Sequence, residues 1–221
     1  MSRTYWAAGA AVVLALLFAV GATVATASGG TGAGGSGTSS RAPGLHSPDA
    51  GFARDMAVHH QQAVEMSFIV RDRTGDEAVR SLAYDIANTQ ANQRGMLLGW
   101  LDLWGLPKVV ADEPPMSWMG TGGEHSAHSA HEAKPGALMP GMATKEELAQ
   151  LGTLSGRDAE VLYLQLMTDH HKGGVTMAQG CATQCETPTE RALAQGMVAA
   201  QESELTLMAD MLAKRGAAPR G

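Results

Sequence analysis

From residue 48 onward, one arrangement of apolar and polar positions recurs along the chain. Met56, His59, His60, Ala63, Met66 and Val70 fall at three- and four-residue intervals. At about 100° per residue they share an arc of roughly 120° on one helix, with Glu65 on the far side. Met167, His170, His171, Gly174, Met177 and Cys181 repeat that arc, with Asp169 pointing away. Two further stripes combine Ile86, Gln90, Gln93 and Leu97, and Met197, Gln201, Glu204 and Met208. The punctuation predicts four long helices. The first runs from Pro48 to about Arg71, with Ser47 as cap and proline in its first turn. A turn follows over Asp72 to Gly75. The second helix runs from about Asp76 to Trp104, stopped by Gly105 and Pro107. The third spans about Gly156 to Gln184. Thr187-Pro188 restarts the chain for the fourth, which ends near Gly216. A short helix is expected over Lys145 to Leu151.

The first hairpin reappears in the second. A shift of 111 residues superposes Met56 on Met167, His59 and His60 on His170 and His171, and Met66 on Met177. The same shift brings Gln90 to Gln201, Leu101 to Leu212 and Gly105 to Gly216. One spacing that holds over more than about fifty residues reads as a duplicated helical hairpin. Neither hairpin buries its apolar face alone. The fold class expected is therefore all-α, a four-helix bundle of the up-down or ferritin-like kind, made of two hairpins (48–107 and 156–216) joined by a long crossover (108–155).

Composition sharpens this picture. The chain has 221 residues, aromatics make up 5%, and alternating β-branched runs are scarce, all of which favours helices. The net charge of −6, with no basic run, argues against a nucleic-acid partner. Trp6 to Thr26 is almost wholly apolar, follows Arg3, and ends at the small-x-small sequence Ala25-Thr26-Ala27. Residues 1–27 read either as a cleaved signal peptide or as a retained N-terminal membrane anchor. Both place the remainder outside the cytoplasm. Residues 28–47, rich in glycine and serine, read as a flexible tether.

The helical arcs point four histidines, three amides and one carboxylate into the interior, where polar groups must be satisfied by one another or by a guest. A metal site follows as the leading expectation, built from His59, His60, His170, His171, Met56, Met66, Met167 and Met177. Gln90, Gln93, Gln201 and Glu204 are the expected outer shell. Adjacent histidines about 100° apart do not readily chelate one ion, so one ring from each pair is expected, completed by Met56 or Met167 and by Met66 or Met177. A hydrogen-bonded network that only fixes packing is the alternative. Ala63 and Gly174, one turn after the His pairs, leave space beside the rings. Imidazole and thioether donors suit copper, as Cu(I) or Cu(II), better than zinc, and the scarcity of carboxylates disfavours iron.

The pattern D-M-x-x-H-H-x-x-A-x-x-M, followed by M-x-x-H-H-x-G-x-x-M-A, resembles the DUF305 family. Met139-Pro140-Gly141-Met142 and Gln201-x-x-Glu204 strengthen the resemblance, which covers about 48–216. It implies a ferritin-like four-helix bundle, usually exported, with some members implicated in copper binding and resistance.

Other motifs carry less. The connection holds Met116, Met119, His125, His128, His131, Met139 and Met142, and reads either as a flexible metal-capture segment or as a solvated linker. Cys181 and Cys185 read as a disulfide in an oxidising compartment, with a Cu(I)-binding thiol pair as the alternative. Four-residue spacing suits a disulfide only where the helix has ended or distorted. About three turns, roughly 15 Å, separate Cys181 from His170, so one ion cannot use both. Trp100, Trp104 and Trp118 are expected to pack the bundle end. No nucleophile elbow, phosphate loop or HExxH occurs, so a binding protein is expected over a redox-active metalloenzyme. The functional expectation is exported copper binding, buffering or tolerance.

Overall fold

The computed structural model describes residues 42–121 and 133–220. Residues 1–27, most of the 28–47 tether, and His125, His128 and His131 lie outside the described residues. Those described form five α-helices and no strand. They are α1 (Pro48–Arg71), α2 (Glu77–Trp104), α3 (Lys145–Thr153), α4 (Gly156–Gln184) and α5 (Pro188–Lys214), with a short 3-10 turn at Ser117–Thr121. None of these helices is long and apolar enough to cross a membrane.

Local chemistry sets the boundaries. Ser47 accepts a hydrogen bond from the Ala50 amide, and Pro48 occupies the first turn of α1. Asp76 caps α2 through the Val79 amide, so α2 begins one residue after its cap. Gly105 ends α2 in the left-handed conformation, φ 67°, which a side chain resists. Thr144 and Glu147 form a reciprocal capping box on α3, which runs two residues past Leu151.

The two hairpins, α1–α2 and α4–α5, meet chiefly where α1 packs on α4. Their apolar faces form two buried clusters. One holds Met66, Val70, Ile86, Tyr163, Met167, Met208 and Leu212. The other holds Phe52, Met56, Leu97, Leu101, Trp118, Met139, Met142, Met177 and Met197. Polar ties cross between hairpins at both ends. The Asp49 carboxylate of α1 accepts the Glu186 and Thr187 amides before α5, at 3.0 and 2.7 Å. At the opposite end, Arg215 bridges Asp76 and Glu160.

The connection is exposed over much of 108–117 and packs onto the helices further on. Met139 and Met142 are buried, because the Pro140–Gly141 turn seats directly on α4. Gly141 has φ +79°, and a Cβ there would fall 2.3 Å from the Asp169 carbonyl oxygen. A Cβ on Gly173 would fall 2.1 Å from the Pro140 carbonyl oxygen. Two glycines face to face allow the backbones to touch. Gln62 then clamps the segment: its amide donates to the Ala143 carbonyl at 2.9 Å and accepts the Ala143 N–H at 2.7 Å. Gln62→Leu leaves both buried backbone groups unpaired and is expected to cost about 1–3 kcal/mol, read by chemical denaturation. An unchanged midpoint contradicts the clamp. Upstream, Trp118 lies against Gly51 and donates to Asp55 at 2.9 Å. Trp118 is buried, while Trp100 and Trp104 are partly buried against the same cluster.

Candidate metal centre

All four histidine side chains are fully buried. α1 supplies His59 and His60 and α4 supplies His170 and His171, at the contact between the hairpins. The His59 and His170 rings meet across it in a tilted contact, with centroids 3.7 Å apart and planes 31° apart. The outer two rings turn toward the flanking helices. His60 Nε2 donates to Gln93 Oε1 of α2 at 2.9 Å. His171 Nε2 donates to Glu204 Oε2 of α5 at 2.6 Å. His170 Nε2 donates to the His59 carbonyl at 2.9 Å.

On His60 and His170 these bonds fix the proton on Nε2 and leave Nδ1 with its lone pair. The Nδ1 atoms of His60, His170 and His171, and both nitrogens of His59, have no hydrogen-bond partner among the described residues. The Gln90 amide and Gln201 Oε1 are likewise unpaired. So many orphaned polar atoms in one buried layer is costly for a purely structural core.

The thioethers divide between the two buried clusters. Met56 and Met177 fall in one apolar cluster with Met139 and Met142, and Met66 and Met167 in the other. The space expected beside Gly174 is taken by the Gln201 amide, whose Oε1 would lie 2.4 Å from a Cβ on that glycine.

Burial keeps His59, His60 and His170 neutral. Burial, then the His60 ring, lowers His59 to about 3, against opposition from the Pro140 carbonyl. Burial lowers His60 to about 3, opposed by the Gln93 hydrogen bond. Burial, then the His59 ring, holds His170 well below the usual imidazole range. Neutral rings keep their lone pairs for a metal.

Sequence reasoning missed a second buried cluster. The Glu190 side chain, in the first turn of α5, is fully buried, and neither carboxylate oxygen has a partner among the described residues. Burial, then the Asp49 carboxylate, pushes Glu190 up to about 9. Cys181 and Cys185 form a disulfide beside it. α4 ends at Gln184 and Cys185 is extended (φ −65°, ψ 139°), which is how a four-residue spacing closes a bridge. Among the described residues, Cys181, Cys185 and Glu190 are the one group of three His, Cys, Asp or Glu whose ligand atoms all lie within 4.8 Å of one another. The four histidines do not form such a trio.

The two clusters set opposite pH slopes. The three shifted histidines bind protons more readily unfolded, so stability falls as pH drops from about 6.5 toward 3. Glu190 binds its proton more tightly when folded, so its contribution is lost as pH rises from 4.5 to about 9. Glu190→Gln is expected to flatten the pH dependence of Tm contributed between roughly pH 4.5 and 9 and to leave the slope below about pH 4.5 unchanged. An unaltered alkaline slope contradicts this assignment.

An all-helical protein with imidazoles, amides and thioethers in its interior is the class these features define. The chain belongs to the DUF305 family, a domain of unknown function, whose model matches residues 49–212. It is similar, at 62% identity and TM-score 0.72, to a DUF305 protein of Streptomyces coelicolor provisionally assigned as secreted; the match covers 80% of this chain and 99% of that one. A DUF305 fragment from Deinococcus radiodurans is 29% identical with TM-score 0.60, covering 76% and 96%. CopM in its Cu(I)-bound form shares the fold at 20% identity and TM-score 0.54, covering 75% and 96%. No curated protein matches the chain.

Proposed function

We propose that this chain is an exported copper-binding protein that buffers, stores or confers tolerance to copper through its interior histidine and methionine side chains. The observation that carries the reading is the His59–His170 contact, flanked by His60 and His171, with five ring nitrogens buried and unpaired among the described residues and thioethers in both apolar clusters. One ring from each hairpin, with Met56 and Met177 or with Met66 and Met167, supplies a soft donor set. Gln93 and Glu204 orient the outer rings as a second shell, and Gln90 and Gln201 lie on the same layer. Thioethers with one or two imidazoles favour Cu(I). Zinc prefers four closed N, S or O ligands, and the histidines provide no group of three. The CopM structures, in Cu(I)-bound, Cu(II)-bound and silver-bound forms, support a soft metal on this fold.

The same reading treats α1–α2 and α4–α5 as duplicated hairpins of a ferritin-like bundle over 48–216. Supporting it, His60–Gln93 and His171–Glu204 bond at the same sequence separation of 33. Export follows from the apolar segment at 1–27, as cleaved signal or anchor, and fits the secreted assignment of the Streptomyces relative. His125, His128 and His131 remain a proposed secondary capture segment.

The four rings are fully buried among the described residues, which disfavours a redox enzyme at this site. A bound ion exchanges only through local opening, which suits storage. The hydrogen bonds of His60 and His171 favour one rival, a structural network. Anaerobic titration with Cu(I) against a chromophoric chelator separates the two. Binding with Kd below about 1 μM is expected. Failure of both Cu(I) and Cu(II) to bind at that level establishes the network.

A further inference from the structure

We propose that the reduced chain carries a second soft-metal site, formed by the Cys181 and Cys185 thiolates with the Glu190 carboxylate, and that the disulfide closes it. The three ligand atoms already lie within 4.8 Å of one another, and all three residues are buried. Glu190 is the second, independent sign of a ligand. A buried carboxyl normally finds a donor, and both its oxygens lack one among the described residues. Its charged neighbours are committed elsewhere: Asp49 accepts the Glu186 and Thr187 amides, and Arg191 donates to the Cys185 and Glu186 carbonyls. Met177, Ala178, Ala194 and Met197 belong to the same apolar cluster as the cysteines, surroundings that suit a soft ion. Ten residues of α4 separate His171 from Cys181, about 15 Å, so this site is separate from the histidine layer.

The bridge sets access. Cys185 sits just outside α4, next to the exposed Glu186, but is buried like Cys181, so a reductant reaches the bridge through local opening. A dithiol reductant attacks it through a thiolate and forms a mixed disulfide; its second thiol then releases the protein. The protein disulfide gains two electrons and two protons, and the reductant leaves as a disulfide. A soft cation then displaces both thiol protons and the Glu190 carboxyl proton, and takes the two thiolates with the carboxylate.

The test uses the whole chain, reduced with a phosphine, which leaves as its oxide with oxygen from water. After desalting under argon, Cd(II) is titrated while thiolate-to-metal charge transfer is followed in the ultraviolet. Reduced protein is expected to bind one equivalent with that band, and disulfide-bonded protein to show none. Cys181→Ser with Cys185→Ser removes the band, and Glu190→Gln weakens binding at least about tenfold. His59→Ala with His170→Ala retains the band, so failure here is distinguishable from failure of the copper reading. A folded, reduced protein without the band overturns the proposal. Unfolding on reduction overturns it as well, since the bridge is then only a staple, and equal affinity in Glu190→Gln removes the carboxylate from the site.

Discussion

Replacing His59 and His170 together by alanine removes tight Cu(I) binding and leaves a helical, disulfide-bonded protein. These two rings come from different hairpins, lie with centroids 3.7 Å apart, and have three of their four nitrogens without a partner among the described residues. Removing an outer-shell partner costs about 10–100-fold in metal affinity, and loss of two direct donors is expected to exceed that. Gln93→Leu or Glu204→Leu, which frees His60 or His171, should fall inside the smaller range. The fold survives because three of the deleted nitrogens lack a partner, so their removal abolishes a desolvation cost that partly offsets the cavity. The check pairs far-ultraviolet circular dichroism with chelator competition. Wild-type affinity in a folded double variant moves the site away from these two rings.

Gly173→Ala should be among the most damaging single-carbon additions in the chain. Its Cβ falls 2.1 Å from the Pro140 carbonyl oxygen, which is backbone held by the Gly141 turn and, through Ala143, by Gln62. Overpacking of this kind costs about 1–3 kcal/mol, or about 2–4 °C in Tm per kcal/mol for a chain of this size. Relief requires the turn to lift, which withdraws Met139 and Met142 from the cluster that contains Met56 and Met177. The adjacent Gly174→Ala is the internal control. Its Cβ meets the end of the Gln201 side chain, which can swing away, so its cost should be small. Equal Tm shifts in the two variants contradict the seated-turn account.

The elements and the His layer were largely legible in the sequence, because caps and three-to-four-residue periodicity are local signals. Pro48, Asp76, Gly105 and Thr187 mark their helix ends within a few positions. Periodicity also tells which face His59 or His170 occupies. It does not tell which neighbour that face meets. The sorting of Met56 with Met177, and of Met66 with Met167, depends on how α1 and α4 cross. The clamp of Gln62 on Ala143 spans 81 residues and Asp49 reaches Thr187 across 138, so no local pattern marks them. Met139 and Met142 looked like part of a loose connection, since proline and glycine usually signal turns in solvent. Here the glycine at 141 faces another at 173, and only that pairing, read together, hints at backbone contact. Glu190 resembles an ordinary acid at a helix start; its burial beside the disulfide emerges only when both hairpins are assembled.

The central claim is that a soft ion sits among the interior imidazoles and thioethers. X-ray absorption at the copper edge, on disulfide-bonded protein loaded with one equivalent of Cu(I), tests it most directly. With both cysteines oxidised, any sulfur scatterer must be methionine. The account predicts imidazole nitrogen together with thioether sulfur in one low-coordinate shell. A shell of light atoms without imidazole scattering, or one unchanged in His59→Ala with His170→Ala, contradicts it.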